Sequence, residues 1–249
     1  DGRAFNPIPQ RLGVGGLANR YVTGVALHPD GTWLAACDQA GHVFMATIEK
    51  GVLGRPITWT APNNVEIPFL SVAIAAKAKA FVAGGGNSVF HFTFDGMRQG
   101  VAPTVYDTTV NQDPSTILQD KASGKPQENI RWVAISDDGA LFATVANRLT
   151  GDKSTGLLLA FTPKQLTPYW TRPLESSPNS TSIDGAGKFV TASDGYPTGK
   201  QAKFYLFDAN GNKQWDYTTC NMNWPMVISA DAGAIAAGSD DGSLYYFKP

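Results

Sequence analysis

Six polar residues stand at matching places ahead of a recurring apolar position. Asn19 with Arg20, Glu66, Glu128, Glu175 and Asn221 lie seven or eight residues before Leu27, Ile74, Ile135, Ile183 and Ile228. Carboxylates, amides and a guanidinium held at equivalent points of a repeat would encircle a common axis. Such a ring could hold a structural cation through hard oxygen ligands, or hydrogen-bond a sugar or the end of a peptide. Glu66, Glu128 and Glu175 are also the one trio that could supply a pair of catalytic carboxyls. Glycoside hydrolysis needs two, ~5–5.5 Å apart for retention or ~6.5–9.5 Å for inversion. The same six side chains could instead cap inner-strand backbone groups or face solvent.

The two cysteines, Cys37 and Cys220, are the next candidates. Cys37 closes an apolar run and Cys220 precedes the last unit, so a ring that closes on itself would bring them together as a disulfide; two buried thiols are the other reading. Asp38, His42 and Met222 nearby in sequence make a soft-metal site conceivable, although no ligand spacing is diagnostic. No histidine joins a serine or cysteine in a catalytic pattern. Asp208–Asn212 (DANGN) has alternating oxygen donors, but its glycine is fourth where a calcium loop has it sixth, so a hairpin turn explains it better. Neither GVGG (13–16) nor GGG (84–86) opens a helix, so neither is a phosphate loop. Trp224, Tyr196 and Tyr169 could stack on sugars or pack between sheets.

These residues are positioned by a repeat. The apolar residues that close each unit's first strand, Leu27, Ile74, Ile135, Ile183 and Ile228, are spaced by 47, 61, 48 and 45, and the wrap from Ile228 round to Leu27 is again 48. A second marker keeps step: Trp59, Tyr106, Trp170 and Trp215 follow their anchors by 32, 32, 35 and 32 residues. The fifth copy should fall near residue 11, where Arg11 and Leu12 stand. Alternation and turn residues place four short strands per unit. In the first they cover 22–27, 33–37, 43–47 and 57–60; in the third, 130–135, 141–145, 157–161 and 168–171. Asn210-Gly211 marks a hairpin between 205–207 and 214–217. Helix signals are nearly absent.

Units of ~40–50 residues with four strands each predict propeller blades. The expectation is an all-β chain: a single five-bladed β-propeller domain over 1–249, of four-stranded antiparallel blades, with the N-terminal segment closing the ring. Blades span about 21–62, 63–107, 129–175, 176–219 and 220–249 with 1–20, and 108–128 is an insertion. The loops joining the second strand to the third, and the fourth to the next blade, open on one face. Residues 108–127, 146–156 and 193–202 elaborate that face, which is where function is expected.

LFDANGNKQW (206–215), AAGSDDGSLYYF (236–247) and VAISDDGALFAT (133–144) resemble repeats of quinoprotein-type and WD-repeat propellers. In the quinoprotein type an Asp…Gly-Lys turn leads to a tryptophan that docks on the adjoining blade; Asp208, Gly211, Lys213 and Trp215 look like that motif, one residue shorter. The resemblance implies fold rather than chemistry, since the family includes quinone-dependent dehydrogenases as well as cofactor-free scaffold and assembly proteins. The dehydrogenases carry vicinal cysteines and often a haem-attachment sequence; this chain has no Cys-Cys pair and no C-x-x-C-H.

Composition narrows the rest. Charged residues make up 16%, net charge is −1, and Lys and Arg do not cluster, which argues against nucleic acid as the main partner. No run of ~18 apolar residues is present to span a membrane. The chain opens at Asp1 with neither a methionine nor an apolar signal region, and its low charge and turn-rich makeup point to export, periplasmic or extracellular. The reading is a non-catalytic binding, accessory or scaffold subunit that takes another protein as its partner on the loop-rich face, with no cofactor. A lectin or glycosidase, and a metal or redox accessory protein, are the alternatives.

Overall fold

The protein is described by a computed structural model, for residues 21–61, 68–108, 127–150, 153–195 and 201–248; the side chains of 127–129, 148–150 and 153–155 are not described. Five antiparallel sheets follow one another along the chain. The first has β1 (Val22–Leu27), β2 (Trp33–Asp38), β3 (His42–Glu49) and β5 (Ile57–Thr60), with a two-residue β4 (Val52–Leu53) at the end of β3. The second runs β6 (Phe69–Ile74), β7 (Ala80–Gly85), β8 (Ser88–Thr93) and β9 (Thr104–Asp107). The third is β10 (Gln127–Ile135), β11 (Phe142–Thr150), β12 (Lys153–Phe161) and β13 (Trp170–Leu174). The fourth is β14 (Pro178–Ile183), β15 (Phe189–Asp194), β16 (Ala202–Asp208) and β17 (Lys213–Thr219), and the fifth is β18 (Asn223–Ile228), β19 (Ile235–Ser239) and β20 (Leu244–Phe247).

The repeat governs register. Each anchor pairs with the residue seven further on: Leu27 with Leu34, Ile74 with Phe81, Ile135 with Phe142, Ile183 with Val190 and Ile228 with Ile235. Every first strand also carries one extra residue at the same place, four before its anchor: Thr23, Leu70, Arg131 and Asn179, with Trp224–Pro225 in the fifth. A bulge of this kind sharpens local twist. Here it turns the upper end of each inner strand toward the following sheet. Thr23 Oγ1 donates to the Phe69 carbonyl at 2.5 Å and Asn179 Nδ2 to the Asn223 carbonyl at 2.6 Å, the same contact three sheets apart. One position on, the Ser71 and Ser180 hydroxyls accept from the backbone of Val133 (3.2 Å) and Met226 (2.9 Å).

At the other end, the short turns hold one another. His28 Nε2 donates to the Ala76 carbonyl (2.9 Å), Lys77 N to Asp137 O (2.7 Å), Asp137 N to Gly185 O (3.0 Å), and Gly185 N to Ala230 O (2.9 Å). Between these two lines of hydrogen bonds lie four apolar cores, one per seam. The outer-strand aromatics close each seam. Trp59 packs on Phe69, Phe90 and Phe92, Tyr106 on Phe142 and Phe161, and Trp215 on Phe247. Trp170 Nε1 donates to the Ala209 carbonyl at 2.8 Å, and the Arg172 guanidinium beside it donates to Gly211 O at 2.6 Å. Gly211 has φ +78°, and a Cβ there would stand 2.7 Å from the Trp170 ring, so the hairpin tip is shaped to receive it.

The first and fifth of the described sheets differ from the three between them. The anchors and the residues two before them face the preceding sheet: Val72, Val133 and Met226 are 8%, 2% and 1% exposed. In the first sheet the equivalent Val25 and Leu27 are 68% and 59% exposed, and Val227, on the outer side of β18, is 56% exposed. Among the described residues no interface like the other four joins β18 to β1. Closure of the ring by residues 1–20 lies outside the described residues.

Several local expectations are corrected. Residues 146–156, read as an elongated loop, are mostly the extension of a long hairpin, because β11 continues to Thr150 and β12 starts at Lys153. The fourth strand of the third sheet begins at Trp170 rather than at 168, and Gln127 already belongs to β10. A five-residue helix α1 (Phe94–Arg98) follows β8, with the Thr93 hydroxyl capping Gly96 N at 3.1 Å; it is too short for a periodic apolar pattern to reveal.

Removing the Trp170 indole leaves a void at a seam and frees the Ala209 carbonyl. Trp170→Ala should lower unfolding stability by about 3–5 kcal/mol, and Trp170→Phe by about 1–2 kcal/mol, mostly the lost hydrogen bond. Urea unfolding followed by circular dichroism checks both values; equal losses in the two variants would refute the docking role of the indole N–H.

Candidate functional site

The predicted polar ring is only partly within the described residues. Asn19, Arg20 and Glu66 lie outside them, and so does Tyr196. Glu128 sits within β10, opposite Arg148 of β11, so it belongs to a strand and not to the connection before one. Glu175 does occupy the link from β13 to β14, but its carboxylate is engaged: Lys203 Nζ donates to Oε1 at 2.6 Å. Lys203 also lies 3.5 Å from Asp216 Oδ1, and Lys213 pairs with the same aspartate. Asn221 acts on its own backbone, its Oδ1 accepting from Met222 N (2.9 Å) and its Nδ2 donating to Asp240 O (3.3 Å). For these two residues the capping and pairing roles describe the geometry.

Behind Glu175 lies a buried polar knot that the sequence did not flag. Asp194, fully buried at the end of β15, accepts from Tyr205 OH (2.7 Å), Ser176 N (3.0 Å) and Lys203 N (2.7 Å). Burial pushes its carboxyl above the usual carboxylate range against the pull of those donors, and burial raises the Tyr205 hydroxyl as well. The signal that could have found it is positional, since Asp38 ends β2 in the same way. Asp38 Oδ1 accepts from Ala40 N and His42 N, each at 2.9 Å, and His42 Nδ1 donates to Oδ2 at 3.0 Å. Two residues named for a soft metal thus serve each other and a tight turn.

Cys37 and Cys220 are both free thiols, Cys37 buried and Cys220 exposed. Cys37 faces the seam with the second sheet, among Val43, Phe69 and Val72. Burial pushes its thiol up to about 11. Among the described residues no three His, Cys, Asp or Glu side chains come together as a cation would require.

A concavity among the described residues lies on the other face. It is a groove of about 660 Å³ at the seam of the third and fourth sheets, walled by four short turns. Gly139, Ala140, Gly187 and Ala209 contribute small side chains, and Tyr169 forms an aromatic wall. The ring of Tyr169 is 48% exposed and its hydroxyl donates to Asn210 Oδ1 at 3.1 Å. Asp138 and Lys164 lie along the groove. The expectation had been a site among the elaborated loops; the residues at 109–126, 151–152 and 196–200 lie outside the described set. Trp132 was also missed. It stands half-exposed where other sheets have Gly24, Ser71, Ser180 and Pro225.

With the geometry in hand, comparison with known proteins agrees on the architecture. The family model for the WD domain, G-beta repeat, matches residues 15–45, which takes in β1, β2 and the start of β3. The solved structure of Kuenenia stuttgartiensis hydrazine synthase is similar at a TM-score of 0.64 and 13% sequence identity, over 88% of this chain and 62% of that one. This chain therefore spans less than two thirds of that solved chain, and the likeness is one of fold. No curated protein matches the sequence. Repeated antiparallel sheets, the docked outer-strand aromatics and the repeat match over residues 15–45 fit the fold of a WD-repeat-like β-propeller.

Two predictions follow from these side chains. In the native protein at neutral pH one thiol, Cys220, should react promptly with a maleimide, and Cys37 only on unfolding; two unreactive cysteines in the unreduced, unfolded chain would reveal a bridge instead. For Asp194, a raised folded-state pKa means that the native state binds the extra proton, so its linked stability is full below the ordinary value of 3.8 and is lost as pH rises through the raised one. Asp194→Asn, which turns an amide toward backbone donors, should cost about 1–3 kcal/mol. That gap should be widest at the acid end of a denaturant series and narrow toward neutrality; a gap that widens with pH would contradict the assigned shift.

Proposed function

We propose that this protein is a non-catalytic binding subunit, an exported accessory or scaffold, that holds a partner protein on the surface of its propeller. The observation that carries this reading is the groove between the third and fourth sheets. It combines an apolar floor of small side chains with an exposed tyrosine and a rim of polar groups, the composition typical of sites that bind by shape with a few fixed polar contacts. The WD-repeat match supports it, because such repeats usually mediate protein interactions. The four turns that wall the groove are tied to each other across the seam by Asp137 N–Gly185 O and by the Trp170–Ala209 and Arg172–Gly211 hydrogen bonds. A preformed wall loses little entropy on binding.

The test uses the intact protein as bait in an extract of its source, beside Tyr169→Ala and Ala140→Trp variants that keep the native circular dichroism spectrum. A partner retained by the native groove and reduced about tenfold or more by both variants, a difference of about 1.4 kcal/mol, is the expected result. Equal retention by all three would move the site elsewhere, and retention by none would overturn the binding role.

A further inference from the structure

The charges around the groove are unequal in what they have left to offer. Asp138 closes its own turn: its Oδ1 accepts from Ser136 Oγ at 2.7 Å and from Ala140 N at 2.9 Å. Those same donors, Ala140 N first, hold its carboxyl below the usual range. Asp137, next to it, pairs with Lys77 at 3.4 Å. The cations differ. Lys164, on the β12–β13 connection, and Lys188, which follows Gly187 of the groove, are exposed and make no ion pair among the described residues. Asn210 gives its Oδ1 to the Tyr169 hydroxyl, so its Nδ2 remains as a donor. Two cations without an ion pair among the described residues, Lys164 on the groove and Lys188 beside it, and a spare N–H thus stand against one ionised carboxylate, Asp138, whose Oδ1 is taken up by its own turn.

We infer that the groove at the seam of the third and fourth sheets takes an acidic peptide segment, with an apolar or aromatic side chain against Tyr169 and Ala140 and a flanking carboxylate at Lys164. The inference rests on the protein-binding reading above and names the chemistry of that partner. An extended segment fits better than a compact anion. The trough runs across two sheets, its floor of Gly139, Ala140, Gly187 and Ala209 admits close backbone approach, and its volume of about 660 Å³ exceeds what one small carboxylate fills. Charge at the rim sets orientation and encounter rate, while the tyrosine and the small side chains supply the buried area.

Fluorescence anisotropy with three labelled decapeptides tests it on the full chain: one alternating glutamate with leucine and tyrosine, its lysine counterpart, and its glutamine counterpart. The acidic peptide should bind about tenfold tighter than the glutamine form and the lysine form weakest, with the preference shrinking as salt rises. Lys164→Glu, an exposed change that leaves the fold intact, should abolish the preference, and Lys188→Glu should reduce it. Equal affinity for the three peptides, or an unchanged preference in Lys164→Glu, would overturn the inference. Full displacement of the acidic peptide by citrate at equal concentration would mark a small-anion site and overturn it also. If an extract-derived partner depends on Tyr169 while no peptide shows charge preference, this inference fails and the binding role stands. If the acidic peptide binds the groove but no partner at all is retained from the extract, the binding role fails.

Discussion

Everything in this protein follows from how closely one inner strand must approach the next. A bulge four residues before each anchor interrupts the inner strand, and at the first, second and fourth seams a side chain at or beside it reaches the neighbouring backbone. At the first two seams the approach is tight. A Cβ on Gly24 would lie 3.1 Å from the Ser71 Cα and from Val72 N, and one on Gly84 would lie 2.5 Å from the Ile130 side chain. Hydroxyls fit the same space at Ser71 and Ser180, and there they also satisfy an inner-strand N–H that would otherwise be orphaned. The polar contacts set the spacing; the apolar cores between them provide most of the adhesion, since a net hydrogen bond is worth only about 1 kcal/mol and a buried aliphatic or aromatic side chain about 1.5–3 kcal/mol.

The same logic explains why the ends of the row differ from its middle. Val25 and Leu27 are the same kinds of residue as Val72 and Ile74, at the same register positions, yet they are exposed. What distinguishes them is the absence of a described sheet on that side. Val227, Leu244 and Tyr246 present the complementary situation on the fifth sheet. In repeat architectures each unit buries its surface against neighbours, so these side chains stand exposed where no neighbouring sheet lies among the described residues.

Much of this was legible beforehand because the information is periodic. The five anchors marked the end of every inner strand, and the spacing of Trp59, Tyr106, Trp170 and Trp215 picked out four outer-strand aromatics that the fold places across the seams. What the sequence hid was everything decided by a partner elsewhere in the fold. Glu175 reads as a free carboxylate until Lys203, twenty-eight residues later, arrives beside it. Asp194 reads as one more turn aspartate until Tyr205 and two backbone amides converge on it. Residues 146–156 read as a loop because asparagine, glycine, aspartate and lysine are poor strand signals, whereas here they extend a hairpin whose pairing begins at Phe142. The groove was invisible for a different reason: its lining comes from four turns of ordinary composition.

That last point bears on how the candidate site arose. Tyr169 precedes Trp170, and Asn210, its hydrogen-bond partner, lies between Ala209 and Gly211, the two residues that receive the Trp170 and Arg172 donors. The wall of the groove and the clasp of the seam are therefore the same short segments, alternating residue by residue between an inward structural role and an outward exposed one. The inward contacts are made to the carbonyls of the β16–β17 turn, which leaves the Asn210 side chain to meet Tyr169, the residue just before β13. It follows that rigidity at the groove is inherited from the fold rather than built by additional contacts. Specificity can then reside in a few outward residues, Tyr169, Lys164 and Asn210, whose replacement leaves the seam intact, whereas any change at Trp170 or Gly211 alters stability and site geometry together.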